Sequence, residues 1–234
     1  MFPVDPITAA SLLILAAGSN QHCQIPKPAE INVVPSSQQL VIDTSKTLAE
    51  MQQASIDTIN PYGYNNVTHT NGYMEGGMAV KSKVDLDYKK AQRVNGYCIW
   101  YETVAINIEI NPKIVIANEV AQDRCMYKAV LEHEMKHVNV ERQIANEFAQ
   151  TIGRKVFDGL KQRGFIAGPI PPESAQEIIK RMRKTVSQLV EFEYKKVSIE
   201  RAERQQAVDN LEEYKSVSAK CPKYKPPKSA YGFR

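Results

Sequence analysis

The fold is decided by residues 130–160, which read VLEHEMKHVNVERQIANEFAQTIGRKVFDGL. Apolar residues recur there every three or four positions, which is the period of an amphipathic helix with one buried face. The stripe on that face consists of Val130, His133, His137, Val140, Ile144, Phe148, Ile152, Val156 and Leu160. Both histidines of the segment, one turn apart, are therefore predicted to face the interior.

A second helical pattern follows a break in the chain. The break, residues 164–172, contains two glycines and three prolines, which end the first helix. From about Glu173 to Tyr214, apolar residues again recur at helical spacing. Two long helices joined by a short connection predict an antiparallel helical hairpin.

Upstream of the helices the period of the pattern is two. Apolar residues alternate with polar ones from Met78 to Tyr88 and from Val104 to Ile110, which predicts two strands. The dipeptide Asn95-Gly96 between them predicts a hairpin turn. These strands form the core of a small antiparallel sheet with one face to cover.

The segment before these strands predicts a third strand and a short helix. We expect the strand at residues 39–43 and the helix at residues 46–57, where Thr47 and Glu50 have the spacing of a capping box. Turn-forming residues predict an exposed loop over residues 58–72. The predicted fold is α+β: a small antiparallel β-sheet with one short helix, packed on a long antiparallel α-helical hairpin.

Three segments are expected along the chain: an N-terminal apolar segment and linker (1–38), one domain (39–217), and a basic, proline-rich tail (218–234) with the character of a solvated terminus. The apolar run Ile7–Ala17 has the length of a signal-peptide core and is too short to span a bilayer. It favours a periplasmic or secreted protein without a stable membrane span; the alternative is a cytoplasmic protein with a short buried helix.

Charge and cysteine content narrow the function classes. The chain has 30 basic and 26 acidic residues spread along its length, which argues against a nucleic-acid partner. Its four cysteines lack the CxxC spacing of a cysteine-ligated zinc site. Export would favour disulfides, and three pairings are open among Cys23, Cys98, Cys125 and Cys221.

The segment His133-Glu134-Met135-Lys136-His137 has the spacing of a zinc site. Histidines four residues apart on a helix reach one ion, and the glutamate beside the first is placed to hold a water against that ion. We therefore predict His133 and His137 as Zn²⁺ ligands. Glu134 is predicted to act as the general base that takes the proton of the attacking water.

A catalytic zinc site needs a third protein ligand. The histidine that extended forms of this motif carry downstream on the same segment is absent. If the hairpin turns near residue 167, the two histidines lie opposite residues 197–201, which makes Glu200 the preferred third ligand. The alternatives are Glu141, Glu213 and His69.

The chain resembles a bacterial family of largely uncharacterised, predicted secreted zinc-dependent proteases. The resemblance covers about residues 39–205 and rests on Cys98, the alternating segment 104–112 and the HExxH segment 133–137. It implies a zincin-like fold and a hydrolase. On the second helical arm the family has a histidine where this chain has Glu200, while Tyr194 and Ser198 match the family pattern and Lys195 departs from it. Through that match Tyr194 is a candidate oxyanion donor.

Two functions from different classes follow. The first is a zinc-dependent metallohydrolase, a peptidase that holds an extended peptide or protein substrate along a sheet edge. The second is a noncatalytic exported binding or structural protein, in which a helical hairpin carries a structural metal with four protein ligands. The sequence does not indicate an oligomeric state.

Overall fold

The structure is a computed structural model that describes residues 10–13, 22–24, 27–52 and 70–227. The fold is α+β, as predicted. The strands are β1 Ala10–Leu13, β2 Glu30–Ser37, β3 Val41–Asp43, β4 Gly72–Glu75, β5 Met78–Lys90, β6 Tyr97–Ile110, β7 Lys113–Ile116 and β8 Ile166–Ile170. The helices are α1 Leu48–Met51, α2 Asn118–Ala121, α3 Arg124–Arg163, α4 Ala175–Val208 and α5 Leu211–Lys220, with a 3₁₀ turn at Pro172–Ser174. Across the described ranges, every helix falls short of the length or the apolar character needed to cross a membrane.

The chain divides into two compact units. The first consists of Met1–Ser36, Ala79–Glu109 and Ala145–Ser198. Its sheet has the strand order β1-β2-β6-β5, with β8 also paired to β6. The alternation predicted for β6 is confirmed, because Val104, Ile106 and Ile108 are fully buried.

Helices cover the sheet of the first unit. Gly153 of α3 approaches β2 so closely that a Cβ there would lie 3.1 Å from Val33 Cγ2. The hydroxyl of Tyr101 on β6 donates to the main-chain carbonyl of Met182 on α4 at 3.0 Å. A disulfide joins the buried Cys23 and Cys98 in the same unit.

The second unit consists of Ser37–Met78, Ile110–Ile144 and Ile199–Arg234. Its sheet has the order β3-β7-β4, in which β7 pairs parallel to β3 and antiparallel to β4. Helix α1 begins with the predicted capping box, since Thr47 and Glu50 bond reciprocally. The core combines Leu48 and Met51 with Ile114, Val115, Ile116, Val120, Met126, Ala129, Val130, Val138 and Val217.

The predicted helical hairpin is confirmed, and α3 and α4 run antiparallel. Lys155 Nζ lies 2.8 Å from Glu193 Oε2 in the first unit. Arg201 Nε lies 2.6 Å from Glu141 Oε2 in the second. A residue earlier in α3 therefore faces a residue later in α4, as expected for antiparallel helices.

The second long helix is interrupted, which the sequence analysis did not predict. Helix α4 ends at Val208 and α5 begins at Leu211, whereas the periodicity predicts one helix to Tyr214. The side chain of Asn210 caps α5 by accepting the N–H of Glu213. Asparagine is among the best N-cap residues, so a new helix starts where an apolar pattern alone would continue.

Three other predictions differ from the structure. The linker predicted within residues 19–38 contains strand β2, and the loop predicted for 58–72 gives way to strand β4 from Gly72. The sequence predicts a hairpin turn at Asn95-Gly96 between β5 and β6, but the connection in the structure is longer and spans residues 91–96. Residues 53–69, with the rest of the predicted helix and loop, lie outside the described residues.

The tail is attached to the second unit over its first residues. Cys221 is 5% exposed and forms a disulfide with Cys125 at the start of α3. Tyr224 is partly buried against the core of that unit. The tail is therefore attached at Cys221 and Tyr224, while Pro222, Lys223 and Lys225 are exposed as expected of a solvated terminus. The segment boundaries 1–38, 39–217 and 218–234 stay predictions.

The Cys125–Cys221 bond is expected to stabilise the protein by restricting the unfolded chain. The two cysteines are 96 residues apart, so a Cys125→Ser/Cys221→Ser variant should lose about 3–5 kcal/mol of unfolding free energy. Equilibrium urea denaturation measures this loss. Free thiols on the unreduced wild-type protein, or an unchanged urea midpoint, would contradict the pairing.

Candidate metal centre

His133, Glu134 and His137 come together on one face of α3 in the second unit. All three are buried, with exposures of 6%, 3% and 7%. One potential ligand atom from each residue can be chosen so that all three atoms lie within 4.8 Å of one another. The two imidazole rings are 5.1 Å apart and nearly perpendicular. The structure therefore confirms the proximity that the spacing of the motif predicts.

Asp209 completes the group, and the sequence analysis did not identify it. It occupies the break between α4 and α5 and is 4% exposed. Its Oδ1 lies 3.2 Å from Nε2 of His133 and 3.2 Å from Nε2 of His137. One carboxylate oxygen thus faces the Nε2 atoms of both imidazoles.

The remaining nitrogen of each imidazole also faces an oxygen. Nδ1 of His133 lies 3.4 Å from Glu213 Oε1, and Glu213 Oε2 lies 2.6 Å from Lys136 Nζ. Nδ1 of His137 lies 2.7 Å from Gln205 Oε1. All four ring nitrogens are therefore paired with oxygens that only accept hydrogen bonds.

A neutral imidazole cannot satisfy this arrangement, because it carries one N–H donor and one nitrogen lone pair. Each histidine would direct a lone pair at an oxygen. Two solutions exist: both histidines are doubly protonated, or a cation lies between the two Nε2 atoms and Asp209 Oδ1. Ligand atoms held about 2.0–2.1 Å from a tetrahedral zinc are about 3.3 Å apart. The two 3.2 Å separations at Asp209 match that spacing.

The charges of the site reinforce one another. Burial alone would lower the pKa of His133 and of His137, but the hydrogen bond to Asp209 and the charge of Glu134 outweigh it and raise both pKa values. Burial would raise the pKa of Asp209, yet the hydrogen bonds from the two histidines hold it below its ordinary value. The cluster therefore favours a negative carboxylate beside positive charge.

Glu134 lies next to the histidines and is held by strand β4. Burial raises the pKa of Glu134 to about 7, against the opposing charges of His133 and His137. The main-chain N–H of Met74 donates a hydrogen bond to its carboxylate. A carboxylate with such a pKa gains and loses protons near neutral pH, as a general base requires.

Tyr214 on α5 is an aromatic residue that contacts the site. Its hydroxyl donates to Asp209 Oδ1 at 3.0 Å, and its ring centroid lies 5.5 Å from that of His133. Tyr194, the oxyanion donor suggested by the family resemblance, instead packs 6.4 Å from the ring of Phe148 in the first unit.

Comparisons with known proteins add no relative. No family model, curated protein or solved structure matches the chain. The resemblance to secreted zinc-dependent proteases therefore stays a prediction.

The structure does not bring Glu200 to the histidines. Its carboxylate is half exposed and pairs with Arg204 one turn along α4. The register was wrong because the connection between the helices is not a tight turn. It holds β8 and a 3₁₀ turn, so Gln205 rather than a residue near 197 contacts His137, a shift of about two helical turns.

Glu141 and Glu213, the other described candidate ligands, contact groups other than the two Nε2 atoms. Glu141 is 1% exposed and binds Arg201 and Gln205 instead. Glu213 supports His133 through Nδ1, and His69 lies outside the described residues. A local sequence pattern could have pointed to Asp209. Asn210 and Glu213, three residues apart, have the spacing of a capping box, which indicates a new helix starting directly after Asp209.

Gly72 is required for the close approach of β4 to α3. A Cβ at this position would lie 2.5 Å from Val130 Cγ1 and 3.1 Å from Glu134 Oε1. Gly72→Ala should therefore lower the free energy of unfolding by about 1–3 kcal/mol, as overpacking does. In a Val130→Ala background the loss should shrink, because the closest clash is gone. Equal losses in both backgrounds, measured by urea denaturation, would show that the contact is not the cause.

Proposed function

We propose that the protein is a zinc-dependent hydrolase that cleaves peptide bonds outside the cytoplasm. One observation carries the proposal: Asp209 Oδ1 lies 3.2 Å from Nε2 of both histidines, while each Nδ1 faces a further acceptor. Metal-ligating histidines usually donate their second ring N–H to a carboxylate or carbonyl oxygen. Glu213 and Gln205 fill those positions.

The donor set suits zinc. His133, His137 and Asp209 would supply two imidazole nitrogens and one carboxylate oxygen, a combination found in catalytic zinc sites. Three protein ligands leave one tetrahedral position open, whereas a structural zinc is normally closed by four. Among the described residues, Glu213 contacts Nδ1 of His133, whereas the metal would bind Nε2, so Glu213 is not placed as a fourth ligand. This favours the hydrolase over a structural metal site.

A zinc ion held by His133, His137 and Asp209 would lower the pKa of a coordinated water toward about 7 and polarise a substrate carbonyl. Glu134 would accept the proton of the attacking water, because it is the remaining carboxylate in the cluster and is not tied to a basic side chain by any described ion pair. The Met74 N–H holds its carboxylate in place. The Tyr214 hydroxyl donates to Asp209 Oδ1 and so helps to orient the carboxylate that would bind the metal.

The outer edge of β4 supports a peptide substrate. Asn71 O accepts from Ala117 N, and Gly77 O accepts from Asn111 N. Since antiparallel pairing alternates, the main-chain groups of Gly72 and Met74 point away from β7. The Met74 N–H is used by Glu134, which leaves Gly72 to bond an extended peptide backbone beside the site.

The disulfides support export. All four cysteines are paired, as Cys23–Cys98 and Cys125–Cys221. Disulfides persist mainly in oxidising compartments, so the two bonds support a periplasmic or secreted location. This support is independent of the apolar run Ile7–Ala17, of which Ala10–Leu13 forms strand β1.

Metal analysis of purified variants tests the proposal. The wild-type protein should bind one zinc per chain, and His133→Ala and Asp209→Ala should lose it. Glu134→Gln should keep zinc, and Glu200→Gln is the matched carboxylate control that should also keep it. Zinc is measured by mass spectrometry of the metal after dialysis.

Activity is measured on the same proteins with a peptide library read by mass spectrometry. Cleavage by the wild-type protein and by Glu200→Gln, but not by zinc-loaded Glu134→Gln, is the expected result. A wild-type protein that binds no zinc, or zinc loss in Glu200→Gln with retention in Asp209→Ala, would refute the proposed site.

A further inference from the structure

We infer that Gln205 is a positioning residue that fixes His137 in the tautomer with a free Nε2 lone pair, and that Glu141 and Arg201 fix Gln205. The inference rests on the proposed zinc site and extends it to residues outside the ligand set. It follows from a chain of donors and acceptors, each of which determines the next.

The first step is the orientation of the Gln205 amide. Its Nε2 donates to the main-chain carbonyl of His137 at 3.2 Å and to Glu141 Oε2 at 3.2 Å. Both partners only accept hydrogen bonds. The amide nitrogen must therefore occupy this side, and a flipped amide would place its oxygen against two oxygens.

The second step is the tautomer of His137. With the amide fixed, Gln205 Oε1 faces His137 Nδ1 at 2.7 Å. An amide oxygen cannot donate, so Nδ1 carries the proton. With a cation at the site the ring would be neutral, and its lone pair would be on Nε2, the nitrogen that faces Asp209 Oδ1 at 3.2 Å. Gln205 thus prepares the nitrogen that would bind zinc.

The third step is the anchoring of Glu141. Its side chain is 1% exposed, and a buried carboxylate is costly unless it is paired and hydrogen-bonded. Arg201 Nε supplies the partner at 2.6 Å. Glu141 follows His137 by one turn of α3, and Arg201 precedes Gln205 by one turn of α4. The pair therefore holds the helices together at the level next to the ligand.

His133 is supported in a different way. Its Nδ1 faces the carboxylate of Glu213 at 3.4 Å, and that carboxylate is also bound by Lys136. Gln205, by contrast, contacts both the ring and the main-chain carbonyl of His137. The Gln205 contacts therefore fix His137 relative to its own backbone, which a single ring contact does not do.

The test uses Gln205→Met, which keeps the length of the side chain and removes both polar atoms. Outer partners of metal-bound histidines typically contribute 10–100-fold to metal affinity. We expect Gln205→Met to weaken zinc binding by about that factor in competition with a chelator. Side-chain ¹⁵N NMR of the zinc-loaded protein should show the loss of the protected His137 Nδ1–H signal.

A pair of Glu141 variants tests the same chain without touching Gln205. Glu141→Leu removes the acceptor and should weaken zinc binding, with exchange broadening of the His137 Nδ1–H signal. Glu141→Gln keeps an oxygen for Arg201 and Gln205 and should restore affinity to near the wild-type value. Glu200→Gln, on the exposed part of α4, is the control and should match the wild type.

The possible failures are distinguishable. Wild-type zinc affinity and an unchanged His137 Nδ1–H signal in folded Gln205→Met or Glu141→Leu would overturn the inference while leaving the zinc site intact. Equal losses in both Glu141 variants would also overturn it, since hydrogen-bonding capacity would then be irrelevant. A wild-type protein without zinc affinity would instead refute the proposed function itself, and the inference with it.

Discussion

A single carboxylate oxygen, Asp209 Oδ1, lies within 3.2 Å of two imidazole nitrogens and accepts the hydroxyl of Tyr214. Asp209 lies at the break between α4 and α5, one turn beyond Gln205, which contacts His137. Asn210 stabilises the break by capping α5. The disulfide Cys125–Cys221 then holds the far end of α5 to the start of α3. The geometry of the cluster thus depends on how the chain leaves one helix and enters the next.

The same region concentrates negative charge in the interior of the second unit. Glu134, Glu141 and Asp209 are each less than 5% exposed. Arg201 neutralises Glu141, whereas the basic groups beside Glu134 and Asp209 among the described residues are the two histidines. Burying such charges without compensation is expensive, and a divalent cation at the histidines would offset that cost. Metal binding and the stability of this unit are therefore expected to be coupled.

The helical parts of this arrangement were predictable because they follow from local periodicity. The stripe of residues 130–160 predicts α3 and the pairing of His133 with His137, and glycines and prolines predict the hairpin. The capping box at Thr47 is likewise predicted from the spacing of Thr47 and Glu50. These features depend on residues within a few positions of one another.

The third ligand was not predictable in the same way. Which residue faces the histidines depends on the length and shape of the connection at residues 164–174. If the centre of the turn is misplaced by a few residues, the residue assigned opposite each histidine changes by about two helical turns. Strand β4 was missed for a related reason, since four residues inside a turn-rich segment are defined by their pairing with β7. Long-range pairing, rather than local pattern, places both Asp209 and the edge strand beside Glu134.

The most direct measurement is anomalous diffraction from crystals grown with zinc, with data collected on both sides of the zinc absorption edge. One strong peak is expected at about 2.0–2.2 Å from Nε2 of His133, Nε2 of His137 and Oδ1 of Asp209. A zinc peak elsewhere in the molecule, with these three side chains bonded only to one another, would contradict this expectation.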